Sequence, residues 1–291
     1  MINRRTLESS RNLLEDFYVR EKGLIAFVDE SYRGNERENE FPFYIVTGVV
    51  FEAASLAQAR QGLSKAAKGS YWHTTESYRL KDFDGIHEMV EAVARSAKVL
   101  LVCVQLDIGQ ESLETSRREC LLQLASSLTG LGCKLMIYET RNHVSKKNAD
   151  AALFQRAKGA DLIPIGTRQV QSHPAVEPLL WAPDLASWCL RQILTRSDER
   201  WFEGLFGLTH VIDVAVSSPE YEKRPETAAA LNSGPALPGA PEEEKVDRSS
   251  AFIMHNYQRQ LQDILHNLPN SVEPLLPPAE LRSWLRKTFP D

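Results

Sequence analysis

The apolar run Leu24-Ile-Ala-Phe-Val28 leads directly into Asp29-Glu30-Ser31. A strand this apolar belongs where both faces are covered, as in the centre of a mixed α/β sheet. Two adjacent carboxylates at its end are costly to desolvate unless something cationic offsets them. Strand ends in such sheets are also where ligands and catalytic groups gather. The offset expected here is a divalent metal ion or a ring of Lys and Arg.

Around that run, strands and helices alternate. Strands are expected over Leu24–Asp29, Phe43–Phe51, Lys98–Ile108 and Lys134–Thr140. A weaker one, Leu162–Val170, is interrupted by Pro164 and suits a sheet edge. Helical spacing marks Arg4–Arg20, Ala53–Lys68, Phe83–Ser96, Thr115–Gly130, Ala149–Lys158 and Pro183–Arg196. Asp82 or Asp84 is placed to cap Phe83–Ser96. Gly48, inside the second strand, marks a bulge or a close approach. Tyr32–Glu40 suits a loop, Tyr71–Asp82 is irregular and polar, and Trp201–Val216 is ambiguous between helix and strand. This order favours an α/β layer fold with a mainly parallel sheet after an initial hairpin. The expected organisation is an α/β domain over 1–221, with its core at about 22–196, then a linker over 222–249 and a helical extension over 250–291. The linker assignment rests on its prolines, glycines and the run Glu242-Glu243-Glu244. In the extension, the helix Ser250–Asn267 carries Tyr257 and Leu261 at helical spacing, suited to core packing or to a protein partner.

Bulk composition removes several function classes. The formal net charge is −5, which disfavours nucleic-acid binding through global charge while leaving room for a local basic groove. No stretch approaches the roughly 20 apolar residues of a membrane span. Met1–Lys22 lacks the apolar core of a signal peptide. Cys103, Cys120, Cys133 and Cys189 form no Cys-x-x-Cys pair, which argues against a zinc ribbon or a disulfide framework and for a cytoplasmic protein with reduced thiols. There is no phosphate-binding Gly-rich loop, no Gly-x-Ser-x-Gly elbow and no His-Glu-x-x-His pair.

Acidic residues recur at comparable places on different elements. Asp29 and Glu30 end the first strand, Glu139 ends the strand before Thr140, and Asp184 opens the helix after Trp181-Ala-Pro183. Carboxylates gathered from several elements suit Mg²⁺ or Mn²⁺, which prefer oxygen ligands. Such ions activate water and stabilise the leaving oxygen in phosphodiester cleavage. Each residue also has a plainer role open to it: Asp184 as a helix cap, Glu139 as a partner of Arg141, and Asp29 with Glu30 as structural groups.

Phe27-Val-Asp-Glu-Ser31, followed by Phe43-Tyr-Ile-Val-Thr-Gly-Val-Val50, resembles the opening of a bacterial family known as domain of unknown function 3800. Tyr71-Trp-His-Thr-Thr-Glu76 matches its His-containing segment, Tyr138-Glu-Thr-Arg141 its late acidic strand end, and Leu180-Trp-Ala-Pro-Asp-Leu-Ala-Ser-Trp188 its last helix start. The resemblance covers about residues 22–196. It departs from the family pattern at Tyr32, where Gly is usual, at Glu139, where Asp is usual, and at Trp181-Ala-Pro-Asp184, which replaces Gln-x-Ala-Asp. The resemblance implies a ribonuclease H-like mixed sheet flanked by helices and a metal-dependent nuclease.

On this basis Asp29, Glu139 and Asp184 are the expected metal ligands, with Glu30 assisting and His73 as a candidate general acid. Ser31, Lys81, Arg141, Lys146 and Lys147 are the candidate substrate contacts; the last three belong to a basic stretch that also holds His143, Arg156 and Lys158. Two functions follow. One is a nuclease or phosphodiesterase acting on DNA or RNA. The other is a catalytically inactive ribonuclease H-like module that binds nucleic acid or protein.

Overall fold

A computed structural model describes residues 4–34, 42–69, 71–106, 108, 113–141 and 144–214. The expected linker and C-terminal helices, and His143, lie outside the described residues. The strands are β1 (Leu24–Arg33), β2 (Phe43–Glu52), β3 (Val99–Leu106), β4 (Leu135–Glu139), β5 (Arg168–Ser172) and β6 (Thr209–Asp213). The helices are α1 (Arg4–Arg20), α2 (Leu56–Ala66), α3 (Thr74–Arg79), α4 (Phe83–Ser96), α5 (Leu113–Gly130), α6 (Val144–Gly159) and α7 (Trp181–Arg196).

The strands form one sheet in the order β5-β4-β1-β2-β3-β6. β2 runs antiparallel to β1 and β3, and the pairs β1–β4, β4–β5 and β3–β6 are parallel. This is the mixed, helix-flanked α/β sheet expected of a ribonuclease H-like chain. β1 is central, and Ile25, Ala26, Phe27 and Val28 are all buried, as an unbroken apolar run requires.

Side-chain alternation assigns the two faces. Ser187 of α7 donates to Thr47 Oγ1 at 2.8 Å, and Thr47 pairs in register with Asp29. The Asp29 face is therefore the α7 face, where α2 and α4 complete a core around Phe27, Phe51, Met89 and Leu185. Gly48 pairs with Val28 and lies on the other face, against α5. A Cβ at Gly48 would sit 3.2 Å from Leu128 Cδ1 and 3.4 Å from Leu124 Cδ1, so the glycine marks a close helix approach.

Three local expectations need correction, and one ambiguity is resolved. β1 does not stop at the acidic pair but continues to Arg33. Tyr32 stacks on Tyr44 across the hairpin at 5.4 Å, and the Arg33 guanidinium lies over Phe43, so cross-strand pairing extends the strand. The segment expected to be irregular contains α3, whose Tyr78 packs against Phe83, Trp188 and Trp201. β5 starts beyond Pro164, which cannot donate to a ladder, and it is an edge strand. Within the ambiguous segment, the described residues form a 3-10 turn, Glu203–Leu208, followed by β6. Among the described residues no helix is long and apolar enough to cross a membrane.

Candidate active site

The parallel ladder between β1 and β4 ends at Val28 and Tyr138. The next residues along are Asp29 and Glu139, so both carboxylates leave the end of this pairing toward the same face. Asp184 reaches them from the first turn of α7. It caps nothing in its own helix. Instead its Oδ2 accepts from the Thr74 backbone N–H at 3.0 Å and from the Thr74 hydroxyl at 2.7 Å.

The electrostatics show this convergence. Burial pushes the Asp29 carboxyl well above the ordinary carboxylate range, and the charges of Glu139 and Asp184 add to the rise. Glu139 is pushed up to about 7, first by burial and then by Asp184, while His73 opposes the rise. Hydrogen bonding from the neighbouring Asp29 carboxyl also opposes the rise at Glu139, more weakly. Tyr71 is pushed up to about 12 by burial and then by Glu139, Asp184 and Asp29, which places its hydroxyl within the field of all three. No ion pair to Asp29, Glu139 or Asp184 occurs among the described residues.

Glu30 points the other way, because successive strand residues alternate faces. Its carboxylate accepts from Arg117 Nε at 2.6 Å and from the Tyr44 hydroxyl. Arg117 also donates to Asp150 Oδ1 at 2.5 Å and Oδ2 at 3.2 Å. Arg141 does not pair with Glu139. It grips Glu114 with two bonds of 2.9 and 2.7 Å and lies 3.4 Å from Asp150. Arg117, Arg141, Glu30, Glu114 and Asp150 thus form one ion network beneath the strand ends. A cavity of about 170 Å³ lies there, lined by Asp29, Glu30, Arg117, Tyr138, Glu139 and Arg141 among others.

The remaining expected residues lie at varying distances from the carboxylates. His73 precedes α3 and acts on Glu139. It also lines a cavity of about 550 Å³ together with Tyr71, Trp72, Lys68 and Glu76. Ser31 lies two residues beyond Asp29 on the same face of β1. Lys81 is exposed in the turn after α3, at the opposite end of that helix from His73, with φ 61°. Lys147 is half-buried in the first turns of α6, and Lys146 is its neighbour in that helix. Thr74, Tyr71, Arg117, Glu114 and Asp150 were not singled out from the sequence. The only signal for Asp150 was that it is the single acid in a basic stretch. Thr74 carried none, since its role depends on a contact with a residue 110 positions away.

The donor set, three carboxylates and no thiol or paired imidazole, fits a hard divalent cation. Among the described residues, no three His, Cys, Asp or Glu side chains already stand together as a ready ligand group. A bound cation would offset the mutual repulsion of these carboxylates.

No protein-family model matches this sequence, and no curated protein matches it. Among solved structures, the chain is similar to RNase HII from Archaeoglobus fulgidus, solved in complex with PCNA. The identity is 16% and the TM-score 0.39, over 68% of this chain and 85% of that one. It is also similar to Bst-RNase HIII, solved with Mn²⁺, at 9% identity and a TM-score of 0.35, over 59% of this chain and 53% of that one. Likenesses this faint carry no weight for activity. The family resemblance of the short motifs has no matching model behind it, and the mixed, helix-flanked sheet stands on its own strand order and directions.

Proposed function

We propose that this chain is a divalent-metal-dependent phosphodiester hydrolase acting on nucleic acid. The observation that carries the proposal is the convergence of Asp29, Glu139 and Asp184 on one face without a cationic side chain paired to them among the described residues. These three carboxylates would hold the ion, Asp29 and Glu139 from adjacent parallel strands and Asp184 from α7. A bound Mg²⁺ or Mn²⁺ would supply polarisation of a phosphoryl oxygen and a lowered pKa for the attacking water. His73, in electrostatic reach of Glu139, is the group to give a proton to the leaving oxygen. Ser31 would contact a phosphate oxygen, and Lys146 and Lys147 would contact the backbone beyond it. Glu30 and Arg141, committed to the Arg117 network, brace the strand ends. The four cysteines are buried and none is in a disulfide, which fits a reducing compartment such as the cytoplasm.

The test is cleavage of single- and double-stranded DNA and RNA with Mg²⁺, Mn²⁺ or chelator, beside Asp29→Asn. Metal-dependent cleavage that falls to the chelated background in the variant is the expected result. Equal background in both proteins would sink the proposal. The departures from the family pattern at Tyr32, Glu139 and Trp181 favour one alternative: an inactive module that binds nucleic acid or protein without cutting. Retained nucleic-acid binding without cleavage under every metal condition would support it.

A further inference from the structure

Thr74 is fully buried, and both of its hydrogen-bond donors are directed at one carboxylate. Its backbone N–H and its hydroxyl both donate to Asp184 Oδ2, at 3.0 and 2.7 Å. The Thr74 hydroxyl in turn accepts from the Trp72 indole Nε1–H at 3.0 Å. An indole nitrogen only donates, and a hydroxyl has a single proton. Trp72 therefore occupies an acceptor position on Thr74 Oγ1 and leaves the hydroxyl proton to Asp184. The chain Trp72 to Thr74 to Asp184 has one direction. It fixes the Asp184 rotamer and loads Oδ2 with two bonds, so that Oδ1 is the oxygen left to face another ligand.

We infer that Thr74, oriented by Trp72, is a positioning residue that presents Asp184 to a divalent cation. This rests on the proposed metal-dependent function and names a residue that acts through a ligand. Groups that orient metal-binding side chains from behind typically affect metal affinity by 10–100-fold. A merely structural tie between α3 and α7 would affect stability and leave metal affinity alone.

The experiment measures Mn²⁺ binding by the loss of the free-ion electron paramagnetic resonance signal, with no turnover required. The proteins are wild type, Asp184→Asn, Thr74→Val, Thr74→Ser and Thr209→Val. Val keeps the shape and backbone donor of Thr74 but loses the hydroxyl; Ser restores it. Thr209 is the matched control, a buried threonine whose hydroxyl donates to the Leu205 carbonyl at 2.7 Å, outside the site. The expected result is affinity weakened about tenfold or more in Thr74→Val, near-normal in Thr74→Ser, and unchanged in Thr209→Val. Wild-type affinity in Thr74→Val, or an equal loss in Thr209→Val, overturns the inference while the metal function stands. If wild type binds no more Mn²⁺ than Asp184→Asn, the metal function fails and the inference falls with it.

Discussion

Asp150 and Arg117 form a deeply buried ion pair, with relative exposures of 1% and 4%. A charge taken that far from water is tolerated only when paired and hydrogen-bonded, and here each group satisfies the other. Asp150→Ala would leave the Arg117 and Arg141 guanidiniums facing each other with one shared acid fewer. The expected cost is about 3–5 kcal/mol, read by urea denaturation. Replacing both partners by apolar residues, Arg117→Met with Asp150→Leu, should cost less than the single change, because the buried guanidinium leaves with its buried acid, while Glu30 is part-exposed and Arg141 keeps Glu114. In the sequence Asp150 was visible only as an exception within a basic stretch, and Arg141 was expected to meet phosphate. Pairing across α5, β1 and α6 reversed that expectation, and no local pattern encodes such a pairing. The Asp-Glu step was legible as a candidate site, but the division of labour within it was not. It depends on which face of the sheet each residue takes, and so on where the helices pack.

At the scale of elements, the same kind of contact sets where α7 begins. Glu177 is buried just before the 3-10 turn Pro178–Leu180 that leads into α7. It accepts from Tyr18 of α1 at 2.6 Å and from Arg60 Nε and Nη2 of α2 at 2.9 and 2.7 Å. It also accepts from the Leu179 N–H at 3.0 Å, so one carboxylate ties two helices to the start of a third. Glu177→Ala strands Arg60 and opens the turn, and should cost about 3–5 kcal/mol. Tyr18→Phe removes one bond to a charged acceptor and should cost about 1.5–3 kcal/mol. Both values come from denaturant midpoints, and a smaller effect for Glu177→Ala than for Tyr18→Phe would contradict the tie. The elements themselves were largely readable. Apolar runs gave β1 to β4, and helical spacing with the Asp82 cap, which accepts from Gly85 N–H at 3.2 Å, gave α4. α3 was not readable, because its polar residues form a helix only where Tyr78 meets Trp188, Trp201 and the Arg196 guanidinium.

For the whole molecule, the acidic cluster sets stability against function, and pH separates the two. Asp29 and Glu139 hold their protons to higher pH when folded than when unfolded, where values near 4 apply. Between those limits the folded chain binds more protons, so their contribution is fully present below the unfolded pKa. It is lost as pH rises through the folded value, about 7 for Glu139. His210 works in the opposite sense. Burial lowers its pKa from 6.5 to about 4, so its contribution is present above 6.5 and is lost as pH falls through about 4. Above pH about 6.5 the histidine contribution is complete and only the carboxylate contribution is still changing. In chelator, the melting temperature should therefore fall between pH about 6.5 and 8, by several degrees if roughly 2–4 °C accompanies each kcal/mol. Asp29→Asn removes one of the repelling charges, so it should flatten that fall and melt higher than wild type at pH about 8. Mn²⁺ should raise the wild-type melting temperature more at pH about 8 than at pH about 6.5, because protons compete for the same oxygens. A wild-type melting curve in chelator that does not change over this range, together with no stabilisation by Mn²⁺ at its upper end, would mean that the three carboxylates neither repel one another nor share an ion.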